Sequence, residues 1–225
     1  MRRIVVAIDG PAGAGKSTAS RALAQRLGYG YVDTGAMYRA VGVLAAERGL
    51  ALDDDAALGR LVAALSFELR DGGTALVVDG RDVSAAIRRA DAGELASRVS
   101  TRPVVRERLV ALQRALGEAG GVVMEGRDIG TVVFPDAPVK LYLTAAPAER
   151  ARRRAAELRA RGEQVDEAAL AADLAARDRR DSGREHAPLR PASDARLIDT
   201  THLGLDEVVE RMAEAVQSAV RPCKP

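Results

Sequence analysis

Gly10-Pro11-Ala12-Gly13-Ala14-Gly15-Lys16-Ser17 follows the apolar run Ile4 to Ile8. It precedes Thr18 to Leu27, where Leu23, Ala24 and Leu27 recur at helical spacing before Gly28. The order is strand, loop, helix, and it decides the fold. The octapeptide fits G-x-x-x-x-G-K-[ST] at every fixed position, in the strand-to-helix context that the motif requires. Small residues let backbone N–H groups turn inward around a polyphosphate, Lys16 brings a point charge to its β and γ groups, and the Ser17 hydroxyl can hold Mg²⁺ at the helix N-terminus. A plain glycine-rich turn would need neither the lysine nor the hydroxyl. Gly10 to Thr18 is therefore the expected nucleoside triphosphate site.

Working outward, Tyr29 to Val32, Val122 to Met124, Val139 to Leu143 and Arg196 to Ile198 read as further short strands separated by helical stretches. Such alternation predicts an α/β fold, a parallel sheet of the P-loop NTPase type covered by helices on both faces. Residues 66–84 break the rhythm. Ser66 to Arg70, the turn Asp71-Gly72-Gly73, and Thr74 to Val78 alternate and reverse like a β-hairpin, and Asp79-Gly80 adds a turn before Val83. A small antiparallel piece is thus inserted in an α/β chain.

Composition bounds the rest. The chain has 225 residues, 47% hydrophobic and 29% charged, enough apolar side chain for a core and too even a charge balance for disorder. A formal net charge of +2 is too small to hold the molecule on nucleic acid or an anionic membrane by field alone. The single cysteine, Cys223, excludes an internal disulfide framework, zinc cluster or redox pair, and Arg221 to Pro225 reads as a disordered tail. Met1-Arg2-Arg3 and a five-residue apolar run do not make a secretory segment, and no run reaches the ~18 apolar residues of a membrane span. The expectation is a cytoplasmic protein. Only Lys16, Lys140 and Lys224 among the 34 basic residues are lysines, so an arginine counts as evidence only where its position fits a site.

A phosphate loop implies a nucleotide without saying what is done with it. The Asp-x-x-Gly turn and Asn-Lys-x-Asp of a GTPase switch are missing, and Val122-Val123-Met124-Glu125 only approximates the acid-ended strand of a motor ATPase. Small kinases remain. Two further stretches look like an anion site. In Asp33-Thr34-Gly35-Ala36-Met37-Tyr38-Arg39, Thr34 can cap a helix with Arg39 one and a half turns in, and Glu125-Gly126-Arg127-Asp128-Ile129-Gly130-Thr131 presents Arg127 and Asp128 at the end of a strand.

These segments resemble the bacterial cytidylate kinase family. The resemblance rests on Asp33 to Arg39, on Gly126 to Ala137, and on Arg177-Asp178-Arg179-Arg180-Asp181-Ser182-Gly183-Arg184 with Ala187-Pro188-Leu189, and it runs from about Ile4 to Val220. Thr34 stands where relatives often carry Ser, and Glu125 where some carry Asp. The resemblance implies Mg²⁺-dependent transfer of the γ-phosphoryl group of ATP to CMP or dCMP. It implies Thr34, Arg39, Arg127 and Arg184 around the monophosphate, Ser97, Arg106 and Asp128 on the cytosine, and Arg177 with Asp181 on the sugar hydroxyls. It also implies a monomer with a core of 1–36, 106–150 and 185–225, an acceptor-binding domain over 37–105 enlarged by the hairpin insert, and a lid with flanking helices over 151–184.

The residue types suit that chemistry. Phosphoryl transfer is mainly alignment and charge stabilisation, so two anionic substrates need fixed cations, here Lys16, Arg39, Arg127 and Arg184, and no general base. Arginine's planar fork suits phosphate and keeps its proton. A carboxylate at Asp128 accepts from the exocyclic amine of cytosine and opposes the carbonyl of uracil, which predicts CMP over UMP. Arg150, Arg152, Arg153, Arg154, Arg159 and Arg161 read as a lid helix, with Arg150 and Arg154 one turn apart on ATP; a plain solvated helix is the competing reading. A nucleic-acid patch is disfavoured because aromatics are only 3% and cannot interleave with the charges. His186 and His202 lack metal spacing and receive no catalytic role.

Overall fold

The computed structural model describes residues 3–73, 75–185 and 187–220, so Thr74, His186 and the tail with Cys223 lie outside the described residues. In chain order the strands and helices are β1 (Val5–Asp9), α1 (Lys16–Leu27), β2 (Gly30–Asp33), α2 (Thr34–Glu47), α3 (Asp55–Ala64), β3 (Phe67–Arg70), β4 (Ala75–Val78), β5 (Arg81–Asp82), α4 (Ala92–Val99), α5 (Pro103–Gly117), β6 (Val122–Glu125), β7 (Val139–Thr144), α6 (Pro147–Ala160), α7 (Glu167–Ser182), β8 (Arg196–Asp199) and α8 (Leu205–Val220). A single π turn, Ile129–Val133, follows β6.

Five strands form one parallel sheet in the order β2-β6-β1-β7-β8. Alternation along the strands assigns the faces. Val6 and Ile8 of β1 pack with Leu23 of α1 and Met212 of α8, while Val5 and Ala7 pack with Val122, Met124 and the π turn, and Val110 of α5 lies against them. The predicted α/β architecture with helices on both faces is what the chain adopts. Helix α1 begins at Lys16 rather than Thr18, because Gly15 takes the N-cap place and the motif's lysine and serine open the helix.

The hairpin expected at 66–84 is present as an antiparallel sheet, β3-β4-β5, with Phe67 opposite Val78 and Arg70 opposite Ala75. Leu76, Val78 and Val83 of this insert share a hydrophobic cluster with Met37 and Val41 of α2, Leu58 and Leu61 of α3 and Leu109 of α5. Gly73, at the hairpin turn, lies so close to edge strand β2 that a Cβ built there would sit 1.8 Å from the Tyr31 carbonyl oxygen, and its φ is +93°. Only glycine fits such an approach. None of the helices among the described residues is long and apolar enough to cross a membrane.

Candidate active site

Adjacent strands β2, β6 and β1 end side by side on three acidic residues. Asp33 is in register with Glu125, and Glu125 with Ile8, the residue before Asp9. This is where an open parallel sheet binds ligands, beyond the carboxyl ends of its strands. Gly10 leaves β1 with φ +146°, and a Cβ there would lie 2.0 Å from the Leu143 carbonyl oxygen, so the phosphate loop can turn only at a glycine. Lys16 is buried and its Nζ donates to the Pro11 carbonyl at 2.7 Å, which curls the loop round the ammonium. Burial and, after it, the charge of Arg127 pull the Lys16 ammonium down to about 7, with Glu125 opposing.

Two cavities meet at Lys16. The larger, about 570 Å³, is lined by Ala12, Gly13, Gly15, Ser17 and Thr18 on one side and by Arg154 of α6 on another. Gly10, Pro11 and Ala14, also expected at this site, do not line the cavity. The second cavity holds the residues expected at the acceptor: Thr34, Arg39, Ser97 and Arg106, then Arg127, Asp128, Arg177, Asp181 and Arg184. They come from α2, α4, α5, the loop after β6, α7 and the segment beyond it. Lys16, Asp33, Arg39, Arg127 and Arg177 line both cavities, so the cationic groups stand at the junction.

Within the second cavity the charges are organised by carboxylates. Asp181, almost wholly buried, pairs with Arg184, accepts from Arg127 Nε at 3.1 Å, and has Arg177 Nε at 3.9 Å. Burial, then the neighbouring Arg127, lowers Arg177 to about 10, and burial lowers Arg184 as well. The Nε atoms of Arg177 and Arg184 are buried with no hydrogen-bond partner, two donors left for a ligand. Asp33 accepts from Arg39 Nη2 at 2.7 Å. Burial works to raise its carboxyl, but Arg39 and the Ala36 N–H outweigh burial and hold it low.

Two expectations change in detail. Thr34 does not cap α2. Asp33 does, with extended backbone and an oxygen 3.0 Å from the Ala36 nitrogen, while the Thr34 hydroxyl donates to the Glu125 carbonyl at 2.7 Å. Arg150 does not line either cavity. It is buried, its Nε donates to the Ala145 carbonyl at 3.1 Å, and its Nη1 reaches the Ala12 carbonyl at 3.2 Å and Asp178 at 2.6 Å, fastening α6 and α7 to the back of the phosphate loop. The other arginines of this segment carry acidic partners, Arg152 and Arg153 on Glu149, Arg154 and Arg161 on Glu157, and Arg159 on Glu167.

Sequence reasoning gave no role to Tyr31, Tyr38, Ser100 or Glu125. Glu125 is buried and accepts from the Tyr31 hydroxyl; burial followed by the nearby Asp33 raises its carboxyl, with Lys16, Tyr31 and Ser17 opposing. Ser100 accepts from Arg184 Nη2 at 3.0 Å and donates to the Ser97 carbonyl at 2.9 Å. The signal for Glu125 was its place at the end of an apolar strand.

A family model for cytidylate kinase matches residues 6–218. The chain belongs to the cytidylate kinase family. It is 52% identical to the cytidylate kinase of Syntrophotalea carbinolica over 100% of this chain and 96% of that protein. It is 50% identical to the cytidylate kinase of Geobacter sulfurreducens over 98% of this chain and 95% of that one. A gluconokinase from Sinorhizobium meliloti, 14% identical, superposes with a TM-score of 0.51 over 97% of this chain and 94% of that one, a likeness of fold alone.

Proposed function

We propose that the chain transfers the γ-phosphoryl group of ATP to CMP and dCMP, giving ADP with CDP or dCDP, as a cytoplasmic monomer of pyrimidine nucleotide metabolism with no nucleic-acid partner. The observation that carries this reading is the junction of the two cavities. The phosphate-loop lysine and Arg39, Arg127 and Arg177 stand between a donor-sized cavity and one lined by the acceptor residues.

The donor triphosphate lies on the loop from Gly10 to Thr18 with Lys16 at its β and γ groups and Arg154 over it. The acceptor's monophosphate lies among Thr34, Arg39, Arg127 and Arg184. Arg177 and Asp181 hold the sugar, and Ser97, Arg106 and Asp128 read the base. An acceptor phosphate oxygen attacks the γ phosphorus as the bond to ADP breaks. That oxygen is already anionic, so the protein's task is to align the two groups and spread cations over the equatorial oxygens. About 90 Å³ of room is left in the acceptor cavity, against ~300 Å³ for small ligand sites, so the acceptor enters by exchanging the internal ion pairs for its own contacts.

The residues present fit Mg²⁺. The Ser17 hydroxyl lines the donor cavity and lies close enough to the buried Glu125 carboxylate to lower its pKa, and Mg²⁺ needs one or two such protein oxygens rather than a cage. Ser17 would hold it, and when bound it would supply neutralisation of the triphosphate charge. The division into core (1–36, 106–150, 185–225) and acceptor-binding part (37–105) is supported by the separate clusters around the sheet and around α2, while the lid (151–184) rests on the family resemblance. Leu109 joins the acceptor-side cluster, so α5 bridges the two parts.

A coupled ADP-release assay across CMP, dCMP, UMP, AMP and GMP tests the proposal. Turnover is expected with CMP and dCMP well above the others. Equal turnover with AMP or GMP, or none with any nucleotide, would overturn it.

A further inference from the structure

Asp9 ends β1 and immediately precedes the phosphate loop, yet its side chain turns to the π turn after β6. Asp9 is 4% exposed, with Oδ1 accepting from the Ile129 N–H and Oδ2 from the Gly130 N–H, each at 2.8 Å. These are the first two amides of the π turn, which has no side-chain cap of its own, and the residues just before them are Arg127 and Asp128. The same loop is tied to β1 once more by Gly126 N–H to the Ile8 carbonyl at 2.9 Å. At the far end of the turn, Arg114 of α5 donates to the Val133 carbonyl at 3.0 Å and the Val132 carbonyl at 2.8 Å. The turn is thus held by an anion at its amide end and a cation at its carbonyl end, as backbone partial charges favour.

We infer that Asp9 is a positioning residue for base recognition: by gripping the Ile129 and Gly130 amides it aims Asp128 and Arg127 into the acceptor cavity and locks that loop to the strand that launches the donor loop. It touches no substrate in this arrangement. Two charge-assisted bonds from one carboxylate fix both the place and the rotation of the peptide planes they hold, which one bond cannot do. Burial pushes the Asp9 carboxyl up to about 6, with the two amides and Lys16 opposing and Asp128 adding to the rise, so the grip is ionised at about pH 8.

This inference rests on the acceptor reading above, and its test separates the two. Asp9→Asn keeps the shape but turns an NH₂ group toward one of the two amides, leaving a donor facing a donor. Wild type, Asp9→Asn and Arg114→Gln are compared at about pH 8 for kcat and KM with CMP, UMP and ATP, beside amide hydrogen exchange of the whole chain. Asp9→Asn is expected to lower the CMP-over-UMP ratio of kcat/KM roughly tenfold to a hundredfold, the scale of a ~1 Å misplacement, with KM for ATP within about twofold of wild type. Exchange should quicken at Ile129 and Gly130 first. Arg114→Gln, which loosens the other end of the turn, is expected to keep the ratio. An unchanged ratio in Asp9→Asn, an equal fall in Arg114→Gln, or an equal rise in both KM values overturns the inference. A wild type without preference for CMP fails the acceptor reading instead, and faster exchange confined to Ile129 and Gly130 then decides for the grip, unchanged exchange against it.

Discussion

Arg106 and Asp128 form an ion pair whose two side chains are both more than nine-tenths buried at the base of the acceptor cavity. Neither charge has enough water around it to stand alone, so each is held in place by the other. Before any base arrives, the carboxylate and the guanidinium proposed to read it are bonded to each other.

The first prediction concerns that carboxylate. Asp128→Asn removes the acceptor for the cytosine amine and leaves Arg106 as an unpaired buried cation. The CMP-over-UMP ratio of kcat/KM should collapse by at least roughly tenfold. Melting should fall by roughly 6–12 °C, from a loss of ~3 kcal/mol in a chain of this size. Kinetics on both nucleotides with a thermal melt check it, and an intact ratio would show that Asp128 does not read the base.

Proton uptake should accompany donor binding. Burial and Arg127 lower the Lys16 ammonium to about 7, so at about pH 8 it is mostly neutral before ligand arrives. A triphosphate favours the charged form and raises it. Titration calorimetry with ATP in two buffers of different ionisation enthalpy should report uptake approaching one proton at about pH 8, fading toward about pH 6, where Lys16 is already charged. The uptake should vanish in Lys16→Met. Net release from wild type at about pH 8 would contradict the assignment.

Asp181 stands among three guanidiniums, and its removal should make the site depend on an added anion. In Asp181→Asn, Arg127, Arg177 and Arg184 lose the carboxylate on which they converge. The expected result is a lower melting temperature without ligand and a larger rise on adding inorganic phosphate than wild type shows. An equal phosphate-induced rise in both proteins would mean that Asp181 does not balance the arginines.

Much of this was legible in the sequence because short β-rich runs and the Gly10 to Ser17 motif each allow few structures. The nine acceptor residues could be placed together because the family pattern gave their identity and the parallel topology brings strand ends to one crevice. Arg150 was misread because arginine is so abundant here that position on a helix does not say which guanidinium turns inward; only the carbonyls of Ala12 and Ala145 decide that. Asp9 and the π turn were invisible for a different reason. Their bonds join residues 120 apart in sequence, and no local spacing encodes such a pair.

Arg150 and Arg154 lie one turn apart on α6 and should fail differently. Arg150→Met leaves Asp178 without its partner and frees the Ala12 carbonyl, so stability should fall by ~3 kcal/mol. Arg154 pairs with Glu157 in the open, and Arg154→Met should change stability by no more than about 0.5 kcal/mol while raising KM for ATP. Denaturant unfolding of both variants beside KM for ATP makes the comparison. Equal stability losses would mean that the buried fastening at Arg150 contributes nothing.

The contact between the insert and the sheet can be isolated with two neighbouring glycines. Both Gly72 and Gly73 have positive φ, but a Cβ at Gly72 meets open space, whereas at Gly73 it would collide with the Tyr31 carbonyl. Gly72→Ala therefore carries only the backbone strain, ~1–2 kcal/mol. Gly73→Ala carries that strain and must also push the hairpin off β2, next to the Tyr31 side chain that donates to Glu125. Its melting temperature should be clearly lower than that of Gly72→Ala, with a higher KM for ATP, because the hairpin residues Leu69 and Leu76 wall the donor cavity. If the two variants melt together and bind ATP alike, the insert does not depend on its seat against Tyr31, and the donor cavity is closed on that side by something other than the hairpin.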